Sequence, residues 1–228
     1  MIKKLLKKIC LRCLFLLPHN NIYSFHCVSD DMTERQLTGR WMEEEKFKDF
    51  IRTHGPYLPL EDILNRDALD GHAALTFDDG LADVYTVAYP FLKQEGIPFT
   101  FFPLTGKLDQ PGYMTTEQLK EMAADPLVTV GSHGISHLHL ARENEETQDK
   151  ELTESKKTLE TLTGKPCRIA AYPFGDFNET TEKIMNRAGY TWGLAVKGRP
   201  LLRNRQGQPY GVPRLSIDRT TEGLYRHS

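Results

Sequence analysis

Short apolar runs alternate with longer stretches of helical periodicity along most of the chain. The apolar runs are typical of buried strands, and the stretches with apolar residues every three or four positions are typical of amphipathic helices. The predicted strands are residues 21–26, 73–77, 97–104, 127–131, 168–172, 191–196 and 214–217. The predicted helices are residues 41–54, 60–64, 82–94, 115–122, 143–163 and 179–188. This alternation predicts an α/β fold with a parallel sheet or barrel, and residues 30–40 are predicted to be a polar loop.

The first residues differ from the rest in charge. Residues 1–29 contain five basic residues and no acidic one, which leaves the remainder of the chain net acidic. Within residues 1–17 apolar positions recur at helical spacing between lysines, which predicts a basic amphipathic helix. It would lie on an anionic membrane surface or pack on its own domain, and an uncleaved signal anchor is a third interpretation. With no internal repeat or interior linker, we predict a segment of residues 1–19 and one domain of residues 20–228.

Composition narrows the class of protein. The chain has 228 residues, of which 39% are hydrophobic and 26% charged, with a net charge of −2. These values are ordinary for a soluble globular domain and exclude a disordered chain or a protein with several membrane spans. The small negative charge argues against a nucleic-acid partner. The four cysteines are irregularly spaced, which favours reduced thiols and therefore a cytoplasmic location, with contact to the inner membrane face through residues 1–17.

Polar clusters directly follow three of the predicted strands. Asp78 and Asp79 follow one strand, His133 and His137 another, and residues 172–175 a third. In a (β/α) barrel such positions converge at the carboxyl ends of the strands. If the histidine segment makes a helical turn, two imidazoles four residues apart share a face, and with one carboxylate they form a three-ligand metal site.

Each cluster also has a simpler interpretation. Histidine pairs at this spacing occur by chance on surface helices, and His139 could replace His137 or play no part. The aspartates could form a solvated turn or a helix N-cap. Spacing alone leaves these alternatives open.

Taken together, the three clusters resemble the motifs of a known family. The segments Thr-Phe-Asp-Asp-Gly at 76–80, Ser-His-Gly-Ile-Ser-His at 132–137 and Tyr-Pro-Phe-Gly at 172–175 resemble, in order and spacing, those of the polysaccharide deacetylases. These proteins carry the NodB-homology domain of carbohydrate esterase family four. The resemblance covers about residues 20–217. It implies a distorted (β/α) barrel with fewer than eight regular strands.

The resemblance also implies roles for individual residues. Asp78 would be the general base, and Asp79, His133 and His137 would hold a divalent metal, most often zinc, although cobalt or nickel suit the same ligands. Tyr172 and Phe174 belong to the third motif, and a backbone N–H near Phe174 would help to stabilise the oxyanion.

The sequence departs from the family pattern at two places. It lacks the late histidine that protonates the departing amine in many members. However, the segment around His26 resembles an early segment of the branch that includes the biofilm poly-N-acetylglucosamine deacetylases, which implies that His26 is the general acid. The alternative to this role is that His26 is a histidine at a strand end whose ring is hydrogen-bonded to the backbone. The family arginine of the third motif is replaced by Ala171, and Arg214 is the candidate substitute. Trp192 would line the acetyl pocket or belong to the core.

The leading hypothesis is a metal-dependent hydrolase that removes N-acetyl groups from an amino sugar in a polysaccharide or glycan precursor and releases acetate. The carbohydrate would be a lipid-linked or nucleotide-linked precursor if the basic helix holds the protein at the membrane. Two alternatives remain: a hydrolase of another C–N bond, in a small amide or cyclic imide, and a degenerate domain that only binds glycan.

Overall fold

The fold was analysed in a computed structural model, which describes residues 19–196, 198–201, 209–218 and 220. The amphipathic helix predicted for residues 1–17 lies outside the described residues, so its membrane contact and the location inferred from it stay predictions. Within the described ranges, no helix is both long and apolar enough to cross a membrane.

Seven parallel strands form the main sheet of the described chain. They are β1 (Asn21–Phe25), β4 (Ala73–Phe77), β5 (Phe99–Phe101), β6 (Val128–Val130), β7 (Ile169–Ala171), β8 (Trp192–Val196) and β9 (Tyr210–Ser216). Their order in space is β6-β5-β4-β1-β9-β8-β7. An isolated parallel bridge between Ser132 and Ala170 joins the two edge strands. The sheet therefore closes into a distorted barrel, and the predicted fold class is confirmed.

Helices connect the strands and cover the outside of the barrel. They are α1 (Met32–Arg35), α2 (Glu44–Thr53), α3 (Leu60–Asn65), α4 (Tyr89–Gln94), α5 (Thr116–Ala124), α6 (Glu145–Thr163) and α7 (Glu179–Arg187). A π-helical turn, Val84–Ala88, leads into α4. A separate pair of short strands, β2 (Cys27–Val28) and β3 (Trp41–Met42), lies beside the barrel.

Helix starts follow the capping residues. Thr115 accepts a hydrogen bond from the Gln118 amide and forms a reciprocal capping box at the start of α5. Asn144 caps α6 with its side-chain oxygen, which accepts a hydrogen bond from the Thr147 backbone N–H. Such caps satisfy amide donors that have no partner inside the helix. The helix starts predicted near residues 115 and 143 are therefore confirmed to within two residues.

The structure differs from the predicted elements in several places. The last strand, predicted for residues 214–217, runs over Tyr210–Ser216. Residues 30–40 contain the single helical turn α1 instead of loop alone. The helix predicted from residue 41 begins at Glu44, because Trp41 and Met42 pair with β2. The strand predicted for residues 97–104 pairs only over Phe99–Phe101. Pro103 follows closely and has no N–H to donate, which limits the ladder on that side.

Alternation along the strands sorts the barrel interior into layers. Side chains on a strand point to opposite faces in turn, so every second residue faces inward. The lower interior layer is apolar and includes Ile22, Ala74, Trp192, Leu194 and Val212. Two to four residues further along the same strands, the inward positions become polar: Ser24, His26, Thr76, Asp78 and Arg214. We call these sets the apolar floor and the polar layer.

Candidate metal centre and active-site cleft

Asp79, His133 and His137 come together at the carboxyl ends of the strands. Asp79 Oδ1 lies 3.5 Å from His133 Nε2 and 3.4 Å from His137 Nε2. One ligand atom from each of the three residues lies within 4.8 Å of the others. Zinc bonds of about 2.0–2.1 Å in tetrahedral geometry place neighbouring ligand atoms about 3.3–3.4 Å apart. The spacing of the carboxylate oxygen from both imidazoles therefore fits a single divalent cation.

The Asp79 carboxylate offers one oxygen to such a cation. Its Oδ1 is buried and has no hydrogen-bond partner, whereas Oδ2 accepts a hydrogen bond from Thr38 Oγ1 at 3.2 Å. Burial raises the pKa of Asp79, but the close approach of His133 and the charge of His26 outweigh it and lower that pKa well below its usual range. A buried, ionised oxygen without a donor fits a metal ligand, because leaving it unpaired is otherwise costly.

Hydrogen bonding orients the His133 ring. Its Nδ1 donates to the Ala171 carbonyl at 2.7 Å, so the lone pair of the neutral ring lies on Nε2, the atom nearest Asp79. Such a second bond is the usual way in which proteins orient a metal-binding imidazole. Burial lowers the pKa of His133, but the charges of Asp78 and Asp79 outweigh it and raise that pKa. The site thus favours positive charge at this position.

The histidine segment is a loop and not the helical turn considered from the sequence. His137 has a φ of 62° and Asp79 a φ of 71°. Both values lie in the left-handed region, which residues other than glycine rarely adopt. Glu151 on α6 holds this loop, because its Oε2 accepts hydrogen bonds from the backbone N–H groups of Ile135, at 2.7 Å, and Ser136, at 3.0 Å. The two imidazoles therefore meet through a strained loop tied to a helix, and not through helical periodicity.

Gly80 meets a packing requirement beside the aspartates. Its φ is 88°, and a Cβ atom there would lie 3.1 Å from both Cα and Cβ of Pro103. Only glycine combines that backbone conformation with so close an approach. The glycine of the first motif thus allows the turn that places Asp79.

Asp78 is buried beside the metal centre and is paired with Arg214. Arg214 Nη1 donates to Asp78 Oδ1 at 2.8 Å, and Nη2 donates to Oδ2 at 2.7 Å. Nη1 also donates to Thr76 Oγ1, and Ser24 Oγ donates to Asp78 Oδ2 at 3.3 Å. Burial raises the pKa of Asp78, but the charges of Arg214 and His133 outweigh it and lower that pKa. Asp78 is therefore an ionised carboxylate in a fixed orientation.

Arg214 lies on β9 and is fully buried behind Asp78, so it does not line the cleft. Its bidentate contact with Asp78 is one that the alanine at position 171, which replaces the family arginine, cannot make.

His26 lines the cleft just after the end of β1. It is buried, and its Nδ1 has no hydrogen-bond partner. Burial lowers the pKa of His26, against the opposing charges of Asp78 and Asp79. The backbone bond considered as an alternative is thus not made by Nδ1.

The third motif forms one wall of the cleft. Tyr172 is buried, its ring stacks on Phe177 and its N–H donates to the Leu194 carbonyl. Phe174 has a φ of 58° and is 54% exposed. The His139 ring stacks on Phe174 at 3.8 Å between centroids. His139 therefore packs against this wall, and among the described residues the group that could hold a cation contains His137 and not His139.

The cleft has a volume of about 480 Å³. Besides the predicted residues it is lined by side chains that sequence reasoning missed, among them Leu37, Thr38, Arg40, Lys107 and Tyr113. No motif marked them, because they lie in loops whose approach to the site depends on tertiary packing. Trp192 does not line the cleft and belongs to the apolar floor, as the core interpretation predicted.

Comparison with known proteins agrees with this geometry. The family model described as polysaccharide deacetylase matches residues 65–193, more than half of the chain. YxkH of Bacillus subtilis, named as a polysaccharide deacetylase, is 27% identical over 202 residues, covering 89% of this chain and 70% of that protein. A poly-beta-1,6-N-acetyl-D-glucosamine N-deacetylase of Staphylococcus aureus is 28% identical over 63% of this chain and 53% of its own length. This chain thus spans about half the length of the Staphylococcus enzyme.

Solved structures share the fold. IcaB from Ammonifex degensii superimposes with a TM-score of 0.75 at 23% identity, covering 90% of this chain and 94% of that one. The Streptococcus pyogenes deacetylase PplD, solved in complex with acetate, gives the same TM-score and identity over 88% of this chain and 92% of its own. Together with the family model, these matches show that the chain belongs to the polysaccharide deacetylase family.

Proposed function

We propose that this protein is a metal-dependent hydrolase that removes the N-acetyl group from an amino sugar of a glycan or glycan precursor and releases acetate. The observation that carries the proposal is the meeting of Asp79, His133 and His137 at cation-binding distances, with the ionised Asp78 beside them in one cleft. Family membership supports the reaction, and similarity to the Staphylococcus poly-beta-1,6-N-acetyl-D-glucosamine N-deacetylase supports N-acetylglucosamine as the sugar.

The donor set of one carboxylate and two imidazoles suits zinc, and the divalent ions of cobalt and nickel suit the same ligands. A divalent cation bound there supplies Lewis-acid polarisation of the acetyl carbonyl and favours ionisation of water.

Asp78 is proposed to take the proton from the attacking water. Its two bonds from Arg214 fix the carboxylate plane, and the lowered pKa keeps it ionised at neutral pH. A base that is held in place and ready to accept a proton contributes typically about 10²–10⁴-fold to such reactions.

His26 is proposed to deliver a proton to the departing amine. It lines the same cleft as Asp78 and Asp79, whose negative charges favour the protonated imidazole against the effect of burial on its pKa. A backbone N–H near Phe174, where the backbone is left-handed, is proposed to stabilise the oxyanion.

The proposal is tested by acetate release from N-acetylglucosamine oligomers, before and after exhaustive chelation and after metal is added back. We expect release to disappear with the metal and to return with zinc. Acetate release that survives chelation would refute metal dependence. Stoichiometric metal binding without release from any N-acetyl sugar, but with turnover of small amides or cyclic imides, would replace the proposed substrate class.

The role of His26 predicts a dependence on the leaving group. His26→Gln should slow N-acetyl sugar hydrolysis by about 10²-fold or more, because the amine must be protonated to depart. The same variant should hydrolyse 4-nitrophenyl acetate almost normally, since nitrophenolate leaves without a proton. His72→Gln, at the opposite end of β4, is the matched control and should alter neither rate. Equal losses on both substrates would exclude His26 as the general acid.

A further inference from the structure

Two cationic side chains in the cleft have no role in the proposed chemistry. Arg40 and Lys107 both line it. Arg40 Nη1 donates to Ser216 Oγ at 3.0 Å, and the Lys107 ammonium lies 5.8 Å from the centre of the Tyr113 ring. In the part of the chain that the structure describes, neither forms an ion pair with a carboxylate. Both therefore retain donors that can bind another group.

The fold places these cations on the two sides of the aspartate-bearing strand. Arg40 is bonded to Ser216 at the end of β9, next to β1 in the sheet. Lys107 belongs to the loop that follows β5, on the other side of β4. Asp78 and Asp79 directly follow β4. A ligand bound at the metal centre would therefore have a cation available on either side.

The charges of the cleft do not balance these cations. Asp78 and Asp79 are the carboxylates among the described residues that line it. Asp78 is paired with Arg214, and Asp79 is proposed to bind a divalent cation. The occupied cleft would thus carry excess positive charge. Such a field concentrates anions and repels cations, including a glycan that already bears free amines.

We propose that the substrate carries an anionic group, a phosphate or a carboxylate, close to the N-acetylated sugar, and that Arg40 and Lys107 recognise it. The inference rests on the proposed function and narrows its substrate class. Arginine and lysine are the side chains that bind such oxyanions, the first as a planar fork and the second as a point charge. A neutral N-acetylglucosamine polymer would offer neither of them an anionic partner.

The test compares three forms of one β-linked N-acetylglucosamine disaccharide: a neutral methyl glycoside, a 1-phosphate, and a form with a lactyl carboxylate on the reducing sugar. We expect kcat/KM for an anionic form to exceed that of the neutral form by at least about tenfold at low salt, and the ratio to fall at high salt as exposed charges are screened. The two anionic arms distinguish phosphate from carboxylate. Affinity for each form, measured by calorimetry, gives a readout that does not require turnover.

Arg40→Gln and Lys107→Gln should each lower the anionic-to-neutral ratio severalfold, in kcat/KM and in affinity. Arg52→Gln and Lys120→Gln, on exposed faces of α2 and α5, are the matched controls and should leave the ratio unchanged. Equal affinity for all three forms would overturn the inference. An equal loss of kcat/KM on all three forms in Arg40→Gln would also overturn it, because Arg40 would then act on the reaction itself and not on the anionic group. Acetate release from none of the forms, with anionic affinity intact, would instead refute the proposed function.

Discussion

The apolar floor and the polar layer of the barrel are built by the same strands, yet they differ in almost every physical respect. On β1, Ile22 packs in the floor, whereas Ser24 binds Asp78 only two residues later. On β9, Val212 belongs to the floor and Arg214 to the polar layer. Burial of apolar surface stabilises the floor. The polar layer contains buried charges, and each needs a partner of opposite charge because an unpaired buried charge is costly.

The backbone shows the same contrast. Four non-glycine residues of the described chain have positive φ, and three of them, Asp79, His137 and Phe174, line the cleft above the polar layer. Left-handed backbone at such residues costs of order 1–3 kcal/mol each and persists only where surrounding structure enforces it. The apolar floor therefore supplies stability that offsets the cost of the strained backbone and the buried charges at the functional end of the barrel.

Neutralising Asp78 should produce the largest effect. Asp78→Asn keeps the size of the side chain but removes the base, so we expect kcat for acetate release to fall by about 10³-fold. Bound metal, measured by elemental analysis, should stay near one per chain. The matched control is Asp149→Asn, which removes an aspartate paired with Arg187 on the surface and should leave kcat unchanged. A variant that retains most of its activity would remove Asp78 from the mechanism.

Removing Arg214 from its buried ion pair with Asp78 should mainly affect the stability of the fold. Arg214→Met leaves the Asp78 charge buried without its partner, and we expect the free energy of unfolding to fall by about 3–5 kcal/mol in urea denaturation. Adding Asp78→Asn should restore part of that loss, because the unpaired charge is then gone. Arg187→Met breaks an exposed pair and should cost no more than about 1 kcal/mol. Equal losses in the two single variants would show that the buried pair is not special.

A substitution in the apolar floor should separate stability from chemistry. Ile22→Ala leaves a cavity beside Ala74, its register partner, and should lower the free energy of unfolding by about 2–5 kcal/mol. At a temperature where the variant remains folded, its KM and metal content should equal those of the unmodified protein. A change in metal content without a change in stability would contradict the division into two layers.

The fold and the meeting of Asp79, His133 and His137 could be predicted, the fold from local patterns and the meeting from the strand ends together with the family resemblance. Alternation of apolar runs marks the strands, and strand ends bring polar clusters such as Asp79 and His133 to one face. The contacts of Thr38 with Asp79 and of Glu151 with the histidine loop could not be predicted, since they join segments far apart in sequence. The Arg214 side chain was a candidate only through resemblance, and its bidentate contact depends on the register of β9 beside β1.

The most direct test of the account is a calorimetric titration of metal-free protein with zinc. We expect one ion per chain in the unmodified protein and in Asp78→Asn, and at least 100-fold weaker binding in each of Asp79→Ala, His133→Ala and His137→Ala. His139→Ala, whose ring stacks on Phe174 outside the centre, should bind zinc normally. Absence of binding in the unmodified protein, or an affinity that does not depend on the three ligands, would contradict the account.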